Sequence, residues 1–130
     1  MFSVATKKRA REAAQRFLIE IGIPASHAAF YPLAEAIATV AEFPDKVNSF
    51  RVNLFPEVIK KTGSKACSES LRKNSEYLIR VAFSRCPEEK KLLYFGACID
   101  PEKGYPTLKE FLACAGERFI DYQTGLSNDC

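Results

Sequence analysis

Between residues 51 and 91 the chain carries ten lysines and arginines against five acids, and Lys60, Lys61, Lys65, Arg72, Lys73 and Arg80 gather in the middle of that segment. Cations at this density suit the neutralisation of a polyanion, because each Lys or Arg that meets a phosphate releases a condensed counterion. Ser70, Asn74 and Tyr77 are interleaved among them. Their side chains both donate and accept hydrogen bonds, which is what discrimination between base edges requires. The flanks are charged differently: residues 1–22 carry +3, residues 23–50 carry −2 and residues 92–130 carry −3, within a total of +3. Positive charge concentrated on one segment, with acidic segments elsewhere, is the pattern of a surface that meets phosphates.

Other chemistries find little footing. Cys67, Cys86, Cys98, Cys114 and Cys130 are odd in number and contain no CxxC pair, so neither a disulfide framework nor a zinc site is suggested and reduced thiols are expected. His27 is the only histidine and stands among Ala25, Ser26, Ala28 and Ala29, which suits a helix entry better than a ligand or a base. "ACIDP" places Cys98 near Asp100 but reads as a helix running into a turn, and Glu88 and Glu89 are consecutive rather than opposed. Nucleophilic catalysis needs a nucleophile poised against a base, and no such pair is found. No catalytic residue, metal or cofactor is assigned, and an enzyme is not expected.

The elements that must position the cations are helical. With 47% hydrophobic and 27% charged residues in 130, the composition predicts one packed domain and no disordered tract. No run approaches the ~18 apolar residues of a membrane span, and "MFSVATKKRAREAAQ" does not form a secretory signal. A cytoplasmic protein with no membrane partner is the expectation. In "KKRAREAAQRFLIEIG", Ala10, Ala13, Ala14, Phe17, Leu18 and Ile21 stripe one helix face up to Gly22 and Pro24. A second helix through "HAAFYPLAEAIATVAEF" places Leu33, Ile37, Val40 and Ala41 inward, with Pro32 in its first turn. A third is expected over "KVNSFRVNLF", burying Val47, Phe50, Leu54 and Phe55, with Pro56 interrupting it or opening a short "PEVIKK" turn that Gly63 stops.

Further helices are expected from Ser68 to Arg85, from Pro87 to Gly96, and from "TLKE" onward, where Thr107 and Glu110 have capping-box spacing and Leu108, Phe111, Leu112, Ala115 and Phe119 face inward. No segment alternates with a period of two, so the prediction is an all-α compact bundle of five to seven helices, with a fraying tail at 123–130. Along the helix from Ser68, the residues Leu71, Ser75, Leu78, Ile79, Ala82 and Phe83 fall on one stripe. Lys73, Tyr77, Arg80 and Ser84 fall opposite. A short helix ending at Gly63, a turn and this longer helix have the layout of a helix-turn-helix.

Six strings in order carry a likeness: "EIGIPAS" (Glu20 to Ser26), "LAEAI" (Leu33 to Ile37), "LFPEVIKKTG" (Leu54 to Gly63), "IRVAFSR" (Ile79 to Arg85), "YFGACI" (Tyr94 to Ile99) and "PTLKEFLACAGERF" (Pro106 to Phe119). Over about residues 17–120 the chain resembles the C-terminal effector domain of the stage-zero sporulation response regulator, a transcription factor of endospore-forming bacteria. The resemblance implies an all-helical domain with a helix-turn-helix, binding double-stranded promoter DNA as paired copies and touching an RNA polymerase sigma subunit. It implies a supporting helix at Phe55 to Lys61, a recognition helix at about Ser68 to Arg85, and base-contacting positions near Arg72, Lys73 and Glu76.

The chain departs from that pattern in three places. Some 16 residues, a basic extension of the first helix, stand where the family carries a receiver domain, so no phosphorylation switch in cis is expected. "TGSKACSES" is about two residues longer, and the exposed first turns of the recognition helix match poorly. The expected base-contacting set is Ser70, Arg72, Lys73, Asn74, Glu76 and Tyr77, and the phosphate-contacting set is Lys60, Lys61, Lys65 and Arg80, with Arg72 within reach of either. The alternative is a protein-interaction module of the same fold that has lost promoter binding and pairs with a regulator or sigma subunit, since Glu69 and Glu76 would repel phosphates.

Overall fold

A computed structural model of the chain describes residues 3–49, 54–63, 67–89 and 105–116. Every regular element among them is helical: α1 (Val4–Glu20), α2 (Phe30–Glu42), a 3₁₀ segment (Pro44–Ser49), α3 (Phe55–Thr62) and α4 (Ser68–Arg85). A final helix, α5, covers residues 108–116. No described helix is long and apolar enough to cross a membrane.

Helix α1 starts where Ser3 Oγ accepts the Thr6 amide at 3.1 Å, satisfying one of the first-turn N–H groups that have no partner within a helix. Its buried residues are Ala10, Ala14, Phe17 and Leu18, as their spacing predicts. The exit is a Schellman motif: the Ile23 amide donates to Leu18 O at 2.9 Å and the Gly22 amide to Ile19 O at 3.1 Å. That motif requires a left-handed residue at Gly22, whose φ is 99°, and it brings Ile23 and Leu18 together in the core. His27 stands at the entry to α2, half-buried, its Nδ1 accepting the Ala29 amide at 3.1 Å.

Helix α2 is the axis of the domain. Phe30, Pro32, Leu33, Ala34, Ala36, Ile37, Ala38, Thr39, Val40 and Ala41 are all buried, so the helix is enclosed on nearly every side and not only along the expected stripe. Its alanines let neighbouring backbones approach closely. Thr39 keeps its buried hydroxyl satisfied by donating to Glu35 O at 2.8 Å. Pro32 is the third helical residue, where the missing N–H costs nothing. Helix α1, the 3₁₀ segment and α3 all pack against α2.

The expected third helix over "KVNSFRVNLF" is corrected in part. Residues Pro44–Ser49 form a 3₁₀ helix that buries Val47, and α3 begins only at Phe55, with Pro56 inside its first turn rather than interrupting it. Proline at a helix start and the αL residue Gly63 at its end, φ 66°, fix the short α3 between two residues of opposite conformational bias. Leu54, Phe55 and Val58 are fully buried. Helix α3 in turn packs on α4.

Helix α4 occupies the predicted residues and buries the predicted stripe of Leu71, Ser75, Leu78, Ile79, Ala82 and Phe83. Helix α5 opens with the predicted capping box: the Thr107 amide donates to Glu110 Oε1 at 3.1 Å and the Glu110 amide to Thr107 Oγ1 at 3.2 Å. Phe111 links α5 to α1 and α4, its ring centroid lying 6.4 Å from that of Phe17 on α1 and 6.4 Å from that of Phe83 on α4. The expectation of reduced thiols holds at Cys67 and Cys86. It fails at Cys114, which is disulfide-bonded, its partner lying outside the described residues. Of the expected helix from Pro87 to Gly96, Glu88 and Glu89 are helical and the rest lies outside the described residues, as do Phe50, Lys65, Phe119 and the 123–130 tail.

Two substitutions test this packing. A Cβ on Gly116 would stand 2.8 Å from Val40 Cγ1 and 3.4 Å from backbone atoms of α2, and a β-branched valine in an enclosed helix cannot turn away. Helix propensity favours Gly116→Ala by about 1 kcal/mol, but overpacking costs about 1–3 kcal/mol, so a lower urea midpoint is expected. Ser75 is fully buried, and its Oγ has no hydrogen-bond partner among the described residues. Ser75→Ala removes that unsatisfied hydroxyl and is expected to raise stability by about 1 kcal/mol, measured by the same urea denaturation.

Candidate functional site

The apolar stripe of α4 fixes what its other side can present. With Leu71, Leu78, Ile79 and Phe83 held in the core, the residues Ser70, Lys73, Asn74, Glu76, Tyr77 and Arg80 are exposed. The helix divides these polar side chains into two strips.

The first strip is paired within the helix and keeps a net negative charge. Arg72 Nη2 and Nε hydrogen-bond to the two carboxylate oxygens of Glu69, the Nε contact at 3.1 Å, and its Nη1 donates to Glu76 Oε1 at 2.9 Å. Charge-assisted, two-pronged pairing of this kind is the strongest geometry available to a guanidinium, and the two carboxylates raise the Arg72 pKa further above its ordinary value. The Arg72 side chain is 17% exposed. Of the expected base-contacting set, Arg72 and Glu76 are therefore engaged with each other. The i, i+3 and i, i+4 spacing of Glu69, Arg72 and Glu76 was the available signal for this clamp.

The second strip is Lys73, Tyr77 and Arg80. Lys73 and Arg80 form no ion pair among the described residues, and the Arg80 guanidinium lies over the Tyr77 ring at 6.0 Å from its centroid, a cation–π arrangement. Tyr77 is 51% exposed, one of few large apolar side chains in that condition. Ser70 Oγ is engaged at the helix start with Cys67 Sγ at 3.4 Å. That contact, with the backbone amides of the first turn, lowers the Cys67 pKa.

The α3 cations differ from one another. Lys60 is exposed and makes no ion pair among the described residues. Lys61 Nζ stands 3.3 Å from Glu57 Oε1 and 3.9 Å from Glu35 Oε1. It is one link in a chain of charges in which Lys46 pairs with Glu57, Lys61 bridges Glu57 and Glu35, and Arg11 Nε approaches Glu35 Oε2 at 3.6 Å. The chain joins α1, α2, α3 and the 3₁₀ segment. Using Lys61 on a phosphate would mean leaving two carboxylates, one of them, Glu35, only 12% exposed.

Sequence reasoning missed one participant. A cavity of about 310 Å³ opens beside the second strip, with Lys73, Glu76, Tyr77 and Arg80 on one wall and residues 105–108 at the start of α5 on the other. Tyr105 and Thr107 carry no motif of their own, and only the return of the chain to α4 brings them there. No protein-family model matches the chain.

The charge chain has a pH signature. The hydrogen bond from Lys46, followed by the Lys61 pairing, lowers the Glu57 pKa against the opposing effect of partial burial. A lowered folded pKa contributes stability above the ordinary carboxylate value of 4.5, and that stability is lost as pH falls through the folded value. Glu57→Gln is expected to be less stable than the parent near neutrality, with the difference shrinking as pH drops below that ordinary value. Urea midpoints of both proteins across the acid range measure it, and a difference independent of pH would exclude the pairing as its source.

Proposed function

We propose that this protein is a sequence-specific DNA-binding transcriptional regulator in the cytoplasm, with α3, the turn at Gly63 and α4 serving as a helix-turn-helix. The observation that carries the reading is the second strip of α4, where two cations without ion pairs among the described residues flank an exposed tyrosine on a helix whose opposite stripe is locked in the core. An α-helix matches the width of the major groove, so side chains early on such a helix can reach base edges. Lys73, Asn74 and Tyr77, with Ser70, would meet bases, and Lys60 and Arg80 would meet phosphates. Arg72 and Glu76 contribute to the base set only if the duplex displaces their mutual pairing, and Lys61 contributes to the phosphate set only if it leaves Glu57 and Glu35. Binding as two copies on a paired site, and contact with a sigma subunit, follow from the resemblance to the sporulation effector domain and form part of the same proposal.

A second reading is favoured by the first strip. Glu69 and Glu76 stand on the outer face of α4, where they neutralise Arg72 and would meet phosphates unfavourably. A protein-interaction module that pairs with a regulator or sigma subunit would use that face without opposing charge.

Selection of duplexes from a random library, followed by fluorescence anisotropy across a salt series, tests the first reading. With Lys60, Lys73 and Arg80 as the cations available, log Kobs against log salt should fall with a slope of about −3 for each bound copy. Lys73→Glu should weaken retention by at least about tenfold. Affinity independent of salt, or no retention at low salt, contradicts the DNA reading; an unaffected Lys73→Glu variant that still captures a sigma subunit supports the second.

A further inference from the structure

The cavity beside α4 offers more than the cations of an open helix face, because its two walls come from different elements, α4 and the start of α5. Its volume, about 310 Å³, sits at the lower end of the roughly 300–1,000 Å³ range of small-molecule sites, which fits one compact ligand and not a peptide. Two cations, Lys73 and Arg80, open into it, and neither has an ion pair among the described residues. The α5 start cannot replace them as the anion-binding group, because Glu110 already places a carboxylate on the Thr107 amide. The anionic part of a ligand is therefore met by side chains.

The rest of the lining suits a planar ring. Tyr77 and Tyr105 contribute two aromatic faces, and Pro106 and Leu108 supply an apolar wall. Arg80 already lies over one of the rings. Glu76 gives Oε1 to Arg72 and can turn its other oxygen to an amine N–H. One anionic group, one planar ring and one amine describe a nucleotide bearing an exocyclic amine.

We propose that this cavity is a binding site for a free nucleoside monophosphate, with Lys73 and Arg80 holding the phosphate and Tyr77 and Tyr105 holding the base. The site shares Lys73, Tyr77 and Arg80 with the duplex surface proposed above, so an occupied cavity withdraws those side chains from DNA. That consequence rests on the DNA reading, whereas the binding itself does not.

Isothermal titration of the full chain with AMP, in the absence of DNA, tests the site. Saturable binding of one AMP per chain is expected, at least about tenfold tighter than either inorganic phosphate or adenosine. Arg80→Gln, an exposed position that leaves the core untouched, should weaken AMP at least about tenfold, and Tyr105→Leu should do the same with helical circular dichroism unchanged. AMP binding no tighter than phosphate, AMP binding indifferent to Arg80→Gln, or no binding at millimolar AMP would each overturn the proposal while leaving the duplex reading to its own test.

Discussion

The enclosure of α2 is the constraint on which the other elements depend. A helix buried around most of its circumference cannot satisfy itself against a single neighbour, so α1, the 3₁₀ segment and α3 are drawn onto it, and Gly116 of α5 comes within contact of Val40. Alanine at positions 34, 36, 38 and 41 makes this possible, because small side chains let surrounding backbones close in without leaving voids. The aromatic contacts of Phe111 with Phe17 and Phe83 then hold α5 against both α1 and α4. With so much of the apolar surface spent inward, the polar face of α4 is left outward.

Charge adds direction to that packing. Arg11, Glu35, Lys61, Glu57 and Lys46 form a line of alternating sign across four elements. Partly exposed pairs of this kind contribute little each, but their alternation specifies which faces meet. The same rule acts inside α4, where Glu69 and Glu76 bracket Arg72. Among the described residues of the basic segment, Lys61 and Arg72 are held by carboxylates, while Lys60, Lys73, Arg80 and Arg85 have no ion pair, so the available cations are a subset selected by neighbours and not the whole segment. The proposed chemistry, with duplex DNA or with a nucleotide, draws on that subset.

Much of the fold was legible in the sequence because helical periodicity is a local property. The stripe of α4, including the polar Ser75, the αL stops at Gly22 and Gly63, and the Thr107–Glu110 capping box were all readable from spacing. The 3₁₀ segment at Pro44–Ser49 is not distinguishable by spacing from the start of a longer helix, because Val47, Leu54 and Phe55 are all buried. The full burial of α2 was not legible, since alanine is compatible with either side of a helix. At the candidate site, outward placement of Lys73, Asn74, Tyr77 and Arg80 followed from the stripe. The capture of Arg72 and Lys61 by carboxylates required weighing helical charge pairs, and the cavity with Tyr105 required tertiary structure.

Lys8, Arg9 and Arg16 at the basic start of α1 are also exposed, and they compete for the contact surface with the α4 cations that have no ion pair among the described residues. Chemical-shift mapping of the isotopically labelled protein with a short selected duplex measures this directly. The largest perturbations are expected at Lys73, Asn74, Tyr77 and Arg80, with Lys60 following. Perturbations confined to Lys8, Arg9 and Arg16 while α4 stays unmoved would contradict it.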